Sequence, residues 1–393
     1  MSGRIKGCFD TVEKLRSHNP VVLCRFLEHF PAVLTKFSIT LPKPASRDTL
    51  PYEELREALM SPDIPDDLAV LLILVGKLGN ELGWGEIERE AEMREVSLAF
   101  DMKDLTYSDR AMMAWILAQP GNADILEESF ARARIYSRSS YTYYPMSLDI
   151  RDKYHTPGDI DIKGLEASLD KYFGVTEQLG TGAKVLMYDY DAEIWFLVRH
   201  PGVLRREGVY EKGRVKSLPL SPEQYDAVVY HKKYGDLRIN AHRQKEHGRY
   251  RIDFGHLLFG EPNVFDNTRK IVHLRPLIGD CLAICETGDI PGLKTILVSE
   301  ICFTSEDHGT RRVTWRSKSD NAMLPLDADH RALPKSSESV IYAKFRYQLT
   351  GDTKFKGMTV HTGKALNYER DGDSCVLEEW LRERKFIEDN FRE

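Results

Sequence analysis

Two carboxylates that share a divalent cation, with a lysine beside the attacked phosphate, can hydrolyse a phosphodiester. The segment Ser147–Lys163 carries that set in Asp149, Asp161 and Lys163. Folded as two strands, it would let the aspartates hold Mg²⁺ while the lysine steadies water or developing charge. The same residues also read as plain architecture. Pro157-Gly158-Asp159 turns the chain, and Asp161 caps a helix whose apolar spacing begins at Ile162. That continuing periodicity favours the cap, so a Mg²⁺-dependent phosphodiesterase or nuclease is the alternative reading of function.

Other groups are weaker as chemistry. Asp189, Asp191 and Glu193 would share one side of a straight strand and so could hold a metal. Apolar strands on both flanks make a hairpin tip the better reading. His242, His247 and His256, with Asp253, are spaced unlike a compact zinc site and have no cysteine nearby, so a solvated basic face is expected. Leu179-Gly-Thr-Gly-Ala-Lys184 lacks the third glycine and the helix of a phosphate cradle and reads as a helix-to-strand turn. Cys281, Cys285 and Cys302 sit in apolar settings, as buried structural thiols do. No metal site and no cofactor is assigned.

Charge points more clearly to binding. From Arg199 to His256 there are 13 Lys/Arg against 7 Asp/Glu, and 5 of the 12 histidines. Clustered positive charge attracts phosphate-rich or acidic partners. Arg205, Arg206, Lys232, Lys233, Arg238, Arg243, Arg249 and Arg251 are the expected phosphate contacts, provided that they share one exposed wall. Aromatic and basic residues also interleave at Arg134–Tyr144 and at Lys344–Tyr347 with Lys354–Lys356. Stacked rings beside phosphate-pairing cations grip single strands, but a strand with rings inward and charges outward produces the same pattern.

The elements that would position these residues fall into two styles. The first 150 residues read as helices, including Val21–Phe30, Leu68–Leu78, Glu86–Val96, Arg110–Gln119 (capped by Ser108-Asp109) and Ala123–Tyr136 (capped by Asn122). None of them has a basic recognition face, which speaks against docking in a DNA groove. The proline-rich stretch 41–51 separates two helical groups. A helix is expected over Asp161–Phe173, after which the apolar period becomes two. Strands follow at Lys184–Tyr190, Ile194–His200, Val203–Tyr210, Arg214–Leu218, Ala227–Tyr230, Leu237–Ala241 and Arg249–Phe254. Two long hairpins come next, Thr295–Thr304 with Arg311–Ser317 and Ser339–Leu349 with Lys354–Thr362, around a polar loop over Ser319–Ser337. An amphipathic helix over Ser374–Asn390 ends the pattern.

The fold class expected is therefore α+β: a helical N-terminal domain, an antiparallel-sheet-rich region and a C-terminal helix. Three domains are expected, over residues 1–140, 161–270 and 271–393. Residues 1–150 carry 17 Lys/Arg and 23 Asp/Glu, so the whole net charge of -6 resides there. That acidic part suits a protein partner, and the basic sheet region suits nucleic acid or another polyanion. Six cysteines are too few for a disulfide framework in 393 residues. No signal-peptide core or membrane-length apolar run is present, so a cytoplasmic location is expected. The leading expectation is a non-enzymatic binding or adaptor protein. A structural subunit of a larger assembly, such as a bacterial defence complex, is a further alternative.

Overall fold

The computed structural model describes residues 7–119, 121–136, 139–177, 179–211, 213–266, 268–269, 271–278, 283–305, 311–317, 340–363, 365–368 and 374–388. The architecture is α+β, with a helical N-terminal part, antiparallel sheet and a C-terminal helix. The chain divides into two compact units. One runs up to Arg134 and takes in Arg206–Leu218; the other comprises Ile135–Arg205 and the chain from Pro219 onward.

In the helical unit the order is α1 (Val12–Ser17), α2 (Pro20–Glu28), α3 (Pro31–Lys36), α4 (Tyr52–Leu59), α5 (Asp66–Leu78), α6 (Glu81–Met93), α7 (Tyr107–Ala118) and α8 (Ile125–Tyr136). Start signals explain several of them. Prolines open α2 and α3, where a missing N–H costs nothing. Asn80 caps α6 by accepting from Gly83 N at 3.0 Å. Gly83 itself lies so close to Leu78 that an added Cβ would sit 2.4 Å from the Leu78 carbonyl oxygen. For α7 the cap is Thr106 rather than the expected Ser108-Asp109. Thr106 Oγ1 accepts from Asp109 N, and Asp109 Oδ2 accepts from Thr106 N, so helix α7 begins three residues earlier than its apolar spacing suggests. No single helix among the described residues is long and apolar enough to cross a membrane.

The second unit contains β1 (Ser140–Pro145), α9 (Asp159–Asp170), β2 (Lys184–Asp189), β3 (Glu193–Pro201), β6 (Glu223–His231), β7 (Asp236–Asn240), α10 (Gln244–Phe259), β8 (Leu293–Ser305), β9 (Arg311–Arg316), β10 (Val340–Leu349), β11 (Lys356–His361), β12 (Ala365–Asn367) and α11 (Ser374–Glu383). Between β3 and β6, β4 (Arg205–Glu211) and β5 (Arg214–Leu220) make a two-stranded sheet of their own. The other ten strands form one sheet in the order β2-β3-β6-β7-β1-β12-β11-β10-β8-β9, and each neighbouring pair is antiparallel. Strands from 161–270 and from 271–393 therefore share a sheet. β1 joins them, pairing with β7 on one side and β12 on the other.

Side-chain alternation decides what each face of the sheet does. On one face Tyr144, Phe196, Val198, Val228, Tyr230, Leu237 and Ile239 pack with Leu165 and Leu169 of α9 and Tyr250, Phe254 and Leu258 of α10. On the other face lie Tyr143, Glu193, Asp236 and Arg238, beneath α11. Glu378 of α11 accepts from Tyr143 at 2.6 Å, and Arg382 pairs with Asp236. Trp380 packs on Phe345 and Phe386, with ring centroids 5.4 and 5.1 Å away.

Four expected elements change type or extent. The expected strand Arg249–Phe254 lies inside α10. Its Tyr250-Ile252-Phe254 alternation suggests a strand, yet Tyr250 and Phe254, four apart, are buried while Ile252 is exposed. Glu246 closes a box onto the Arg243 N–H at the start of α10, and Gly260 ends it in the left-handed region with φ 72°. The C-terminal helix stops at Glu383, and Ile387 instead bridges Val272. Helix α8 begins at Ile125 rather than Ala123, and α9 gives way after Asp170 to a wider turn over Lys171–Thr176. The expected loop Ser319–Ser337 and Cys281 lie outside the described residues.

Candidate functional site

The helical unit presents the clearest docking feature. Helix α5, Asp66-Asp-Leu-Ala-Val-Leu-Leu-Ile-Leu-Val-Gly-Lys-Leu78, is apolar apart from Asp66 and Asp67 at its start and Lys77 in its last turn. Leu68, Leu72, Val75 and Leu78 are fully buried, as a core helix requires. Val70 and Ile73, however, are 46% and 43% exposed. Asp66, Val70, Ile73 and Lys77 fall on one helical stripe, so two apolar side chains face solvent between two charged ones.

Beside it opens a groove of about 490 Å³. Its floor is Phe30, Leu71, Leu74 and Trp115, and its rim carries Asp66, Asp67, Asp124 and Glu127. The Trp115 ring stacks on Phe30 (centroids 5.8 Å apart, 13° between planes), with Phe26 edge-on at 5.5 Å. That packing fixes the floor. Asp66 and Asp67 occupy the first turn of α5, where the helix dipole favours negative charge. Asp67 Oδ1 accepts from Leu68 N at 2.8 Å. Asp124 pairs with Arg94 at 2.6 Å, and this hydrogen bond holds its carboxyl below the usual range. No lysine or arginine lines the groove among the described residues. An acidic rim around an apolar floor suits a cationic segment with apolar anchors.

The residues read from the sequence as a phosphodiesterase site are placed differently. The 147–163 segment is not a hairpin: a short turn over Arg151–Lys153 is followed by α9. Asp149 pairs with Arg151 at 2.6 Å, a hydrogen bond that keeps its carboxyl low. Asp161 Oδ2 accepts from Gly158 N at 2.8 Å and so caps α9. Lys163 lies two residues further along the same helix, and residues two apart do not face each other. The strand-pair geometry that the metal reading needs is absent. Asp189 and Glu193 also diverge. Asp189 pairs with Lys232, whereas Glu193 turns under α11 to accept from Arg238 at 2.7 Å and from Trp195 at 2.8 Å.

The basic wall is largely neutralised. Arg238 has no exposed surface; it pairs with Asp236 at 3.1 Å and Glu193 at 2.7 Å and lies 3.3 Å from Glu378. It is an interior charge and no surface phosphate contact. Lys232 pairs with Asp189, Arg243 with Glu177 and Glu246, and Arg249 with Asp253. Arg251 donates to the Phe265 carbonyl at 3.0 Å and covers the Tyr144 ring. Lys233 is exposed, over the Tyr234 ring. Arg205 and Arg206 are exposed on β4, as are Arg214 and Lys216 on β5 and Tyr210, at 77%. On β10, Phe345 and Tyr347 point inward while Lys344 and Arg346 are half-buried, the alternation of an ordinary strand.

One convergence went unread in the sequence. His200, Asp226 and Glu246 are buried and, among the described residues, form a group whose ligand atoms lie within 4.8 Å of one another. Asp226 is diagonal to His200 across the β3–β6 ladder, where His200 faces Gln224 and Val198 faces Asp226. Spacing along the chain gives no sign of that register. Of the histidines that were singled out, His247 is buried against the Tyr144 hydroxyl at 3.0 Å, while His242 and His256 are exposed. Compared with known proteins, the chain matches no family model and no curated sequence.

Proposed function

We propose that this chain is a binding protein whose helical unit seats a cationic, apolar-anchored segment of a partner protein. The observation that carries the reading is the acid-rimmed groove with its apolar floor, beside which Val70 and Ile73 of α5 are exposed. Each buried anchor of leucine size contributes about 1.5–3 kcal/mol. Synthetic amphipathic helices with identical Leu/Phe anchors and either Lys or Glu on the polar face test this by fluorescence anisotropy. The Lys peptide binds, more weakly as salt rises, and Val70→Asp abolishes binding. Equal binding of both peptides, or indifference to Val70→Asp, rules the groove out.

A narrower polyanion role is supported by the β4–β5 hairpin. Arg205, Arg206, Arg214, Lys216 and Tyr210 are all exposed on that hairpin, and an exposed ring on the same element as cations suits a single-stranded nucleic acid.

A further inference from the structure

We propose that His200, Asp226 and Glu246 bind a divalent transition-metal ion of Zn²⁺ or Mn²⁺ chemistry on the floor of a pocket in the sheet unit.

The argument starts from the His200 ring. It is stacked on Phe173, with centroids 4.0 Å apart and planes 3° apart, so its orientation is set. Nδ1 lies 2.9 Å from the Pro201 carbonyl oxygen, which only accepts, so Nδ1 carries a proton. Nε2 then faces Asp226 Oδ2 at 3.1 Å, and a carboxylate also only accepts. A neutral ring would set two lone pairs against each other. A cation must lie between them, and it is either a proton or a metal.

Two features distinguish this place from a simple imidazolium–carboxylate pair. A second buried carboxylate, Glu246, converges on the same point. A cavity of about 230 Å³ also opens onto His200 and Glu246. A proton needs neither. One N and two O ligands suit borderline metals, and the cavity leaves positions for an exogenous ligand. Metal bonds near 2.1 Å in a tetrahedron separate ligand atoms by about 3.4 Å; His200 Nε2 and Asp226 Oδ2 are 3.1 Å apart, and the ligand atoms of all three residues lie within 4.8 Å of one another.

The outer contacts follow the same logic. Ligands at metal sites are oriented by hydrogen bonds on their far sides. His200 donates from Nδ1 to a backbone carbonyl. The far oxygen of Asp226, Oδ1, accepts from His242 N at 3.1 Å, while the Tyr250 hydroxyl donates at 2.6 Å to Oδ2, the oxygen that faces His200. Glu246 accepts from Arg243 N at 2.9 Å through Oε2 and from Arg243 Nε at 2.7 Å through Oε1, and Glu177, 3.0 Å from Arg243, also pairs with Lys245. Arg205, Gln224 and His242 line the pocket as well, so the ligand that completes the coordination is an oxyanion.

Chelator-treated full-length protein is titrated separately with Zn²⁺ and Mn²⁺ by calorimetry at pH 7.5, alongside melting curves. One equivalent of one of these ions binds with a Kd of 10 µM or tighter and raises the melting temperature. Glu246→Gln and His200→Gln each weaken binding at least tenfold. Should either variant fail to fold, the wild-type titration and melting shift decide. Failure of both ions to bind at 1 mM overturns the proposal, as does stoichiometric binding that survives both substitutions.

Discussion

His18 and Asp109, ninety-one positions apart in the chain, form an enclosed ion pair with Nδ1 and Oδ1 2.9 Å apart. Nε2 of His18 lies 3.1 Å from the Cys8 carbonyl oxygen, so both ring nitrogens face acceptors and the ring is an imidazolium. Asp109 meanwhile closes the cap of α7 through its other oxygen. One carboxylate thus ties the first helices of the unit to the start of α7.

Burial alone would lower the His18 pKa, but its hydrogen bonds to Asp109 and Cys8 outweigh that and lift it to about 9. The folded value lies above the ordinary one. The pair's stabilisation is therefore complete below pH about 6.5 and is lost as pH rises through about 9, on the order of 3 kcal/mol. Urea unfolding of the helical signal at pH 6.5 and pH 9.5 should show that loss in wild type but not in His18→Leu. The same pH slope in both proteins would show that His18 is not its source.

Arg238 is expected to behave as an interior charge. Arg238→Ala leaves Asp236, Glu193 and Glu378 without a common cation and lowers stability by about 3–5 kcal/mol. Lys233→Ala, five residues earlier and exposed, changes it by less than about 0.5 kcal/mol. Beside Arg238, burial and the guanidinium push the His231 pKa down to about 4, so this ring stays neutral at pH 7. Equal urea midpoints for the two variants would contradict the network under α11.

Nucleic-acid binding, if carried by the β4–β5 hairpin, has a defined size. Four cations on a single strand give a log–log salt slope of about -3. Arg206→Ala with Arg214→Ala should halve that slope, whereas Arg249→Ala, whose charge is already spent on Asp253, should leave it unchanged. A slope sensitive to Arg249 and not to the hairpin would move the contact to α10.

Local pattern made much of the fold legible. Period-two alternation located β2, β3, β8 and β10 within a few residues, and the acidic start with the Gly79 stop located α5. Reading failed where two patterns coincide. Tyr250-Ile252-Phe254 alternates like a strand, and only the box formed by Glu246 and the stop at Gly260 mark it as helix. Charge was misjudged for a related reason. Composition counts Arg238, Arg243 and Arg249 as basic surface, but Glu193 and Glu177 reach Arg238 and Arg243 from distant positions in the chain, and Asp253 meets Arg249 one turn along a helix that its alternation made look like a strand. The His200–Asp226–Glu246 convergence was hidden in the same way, since two of its members meet across a ladder. The exposure of Val70 and Ile73 instead follows the stripe they share with Asp66 and Lys77, a period that the apolar run Leu68–Val75 masks.

Amide hydrogen exchange on the full chain, with and without the Lys-faced amphipathic peptide, tests the groove most directly. Bound peptide should slow exchange in Asp66–Leu78 and in 119–127 and leave the sheet strands unchanged, and Val70→Asp should remove that protection. Protection confined to the sheet strands, or none at saturating peptide, would contradict the assignment of partner binding to the helical unit.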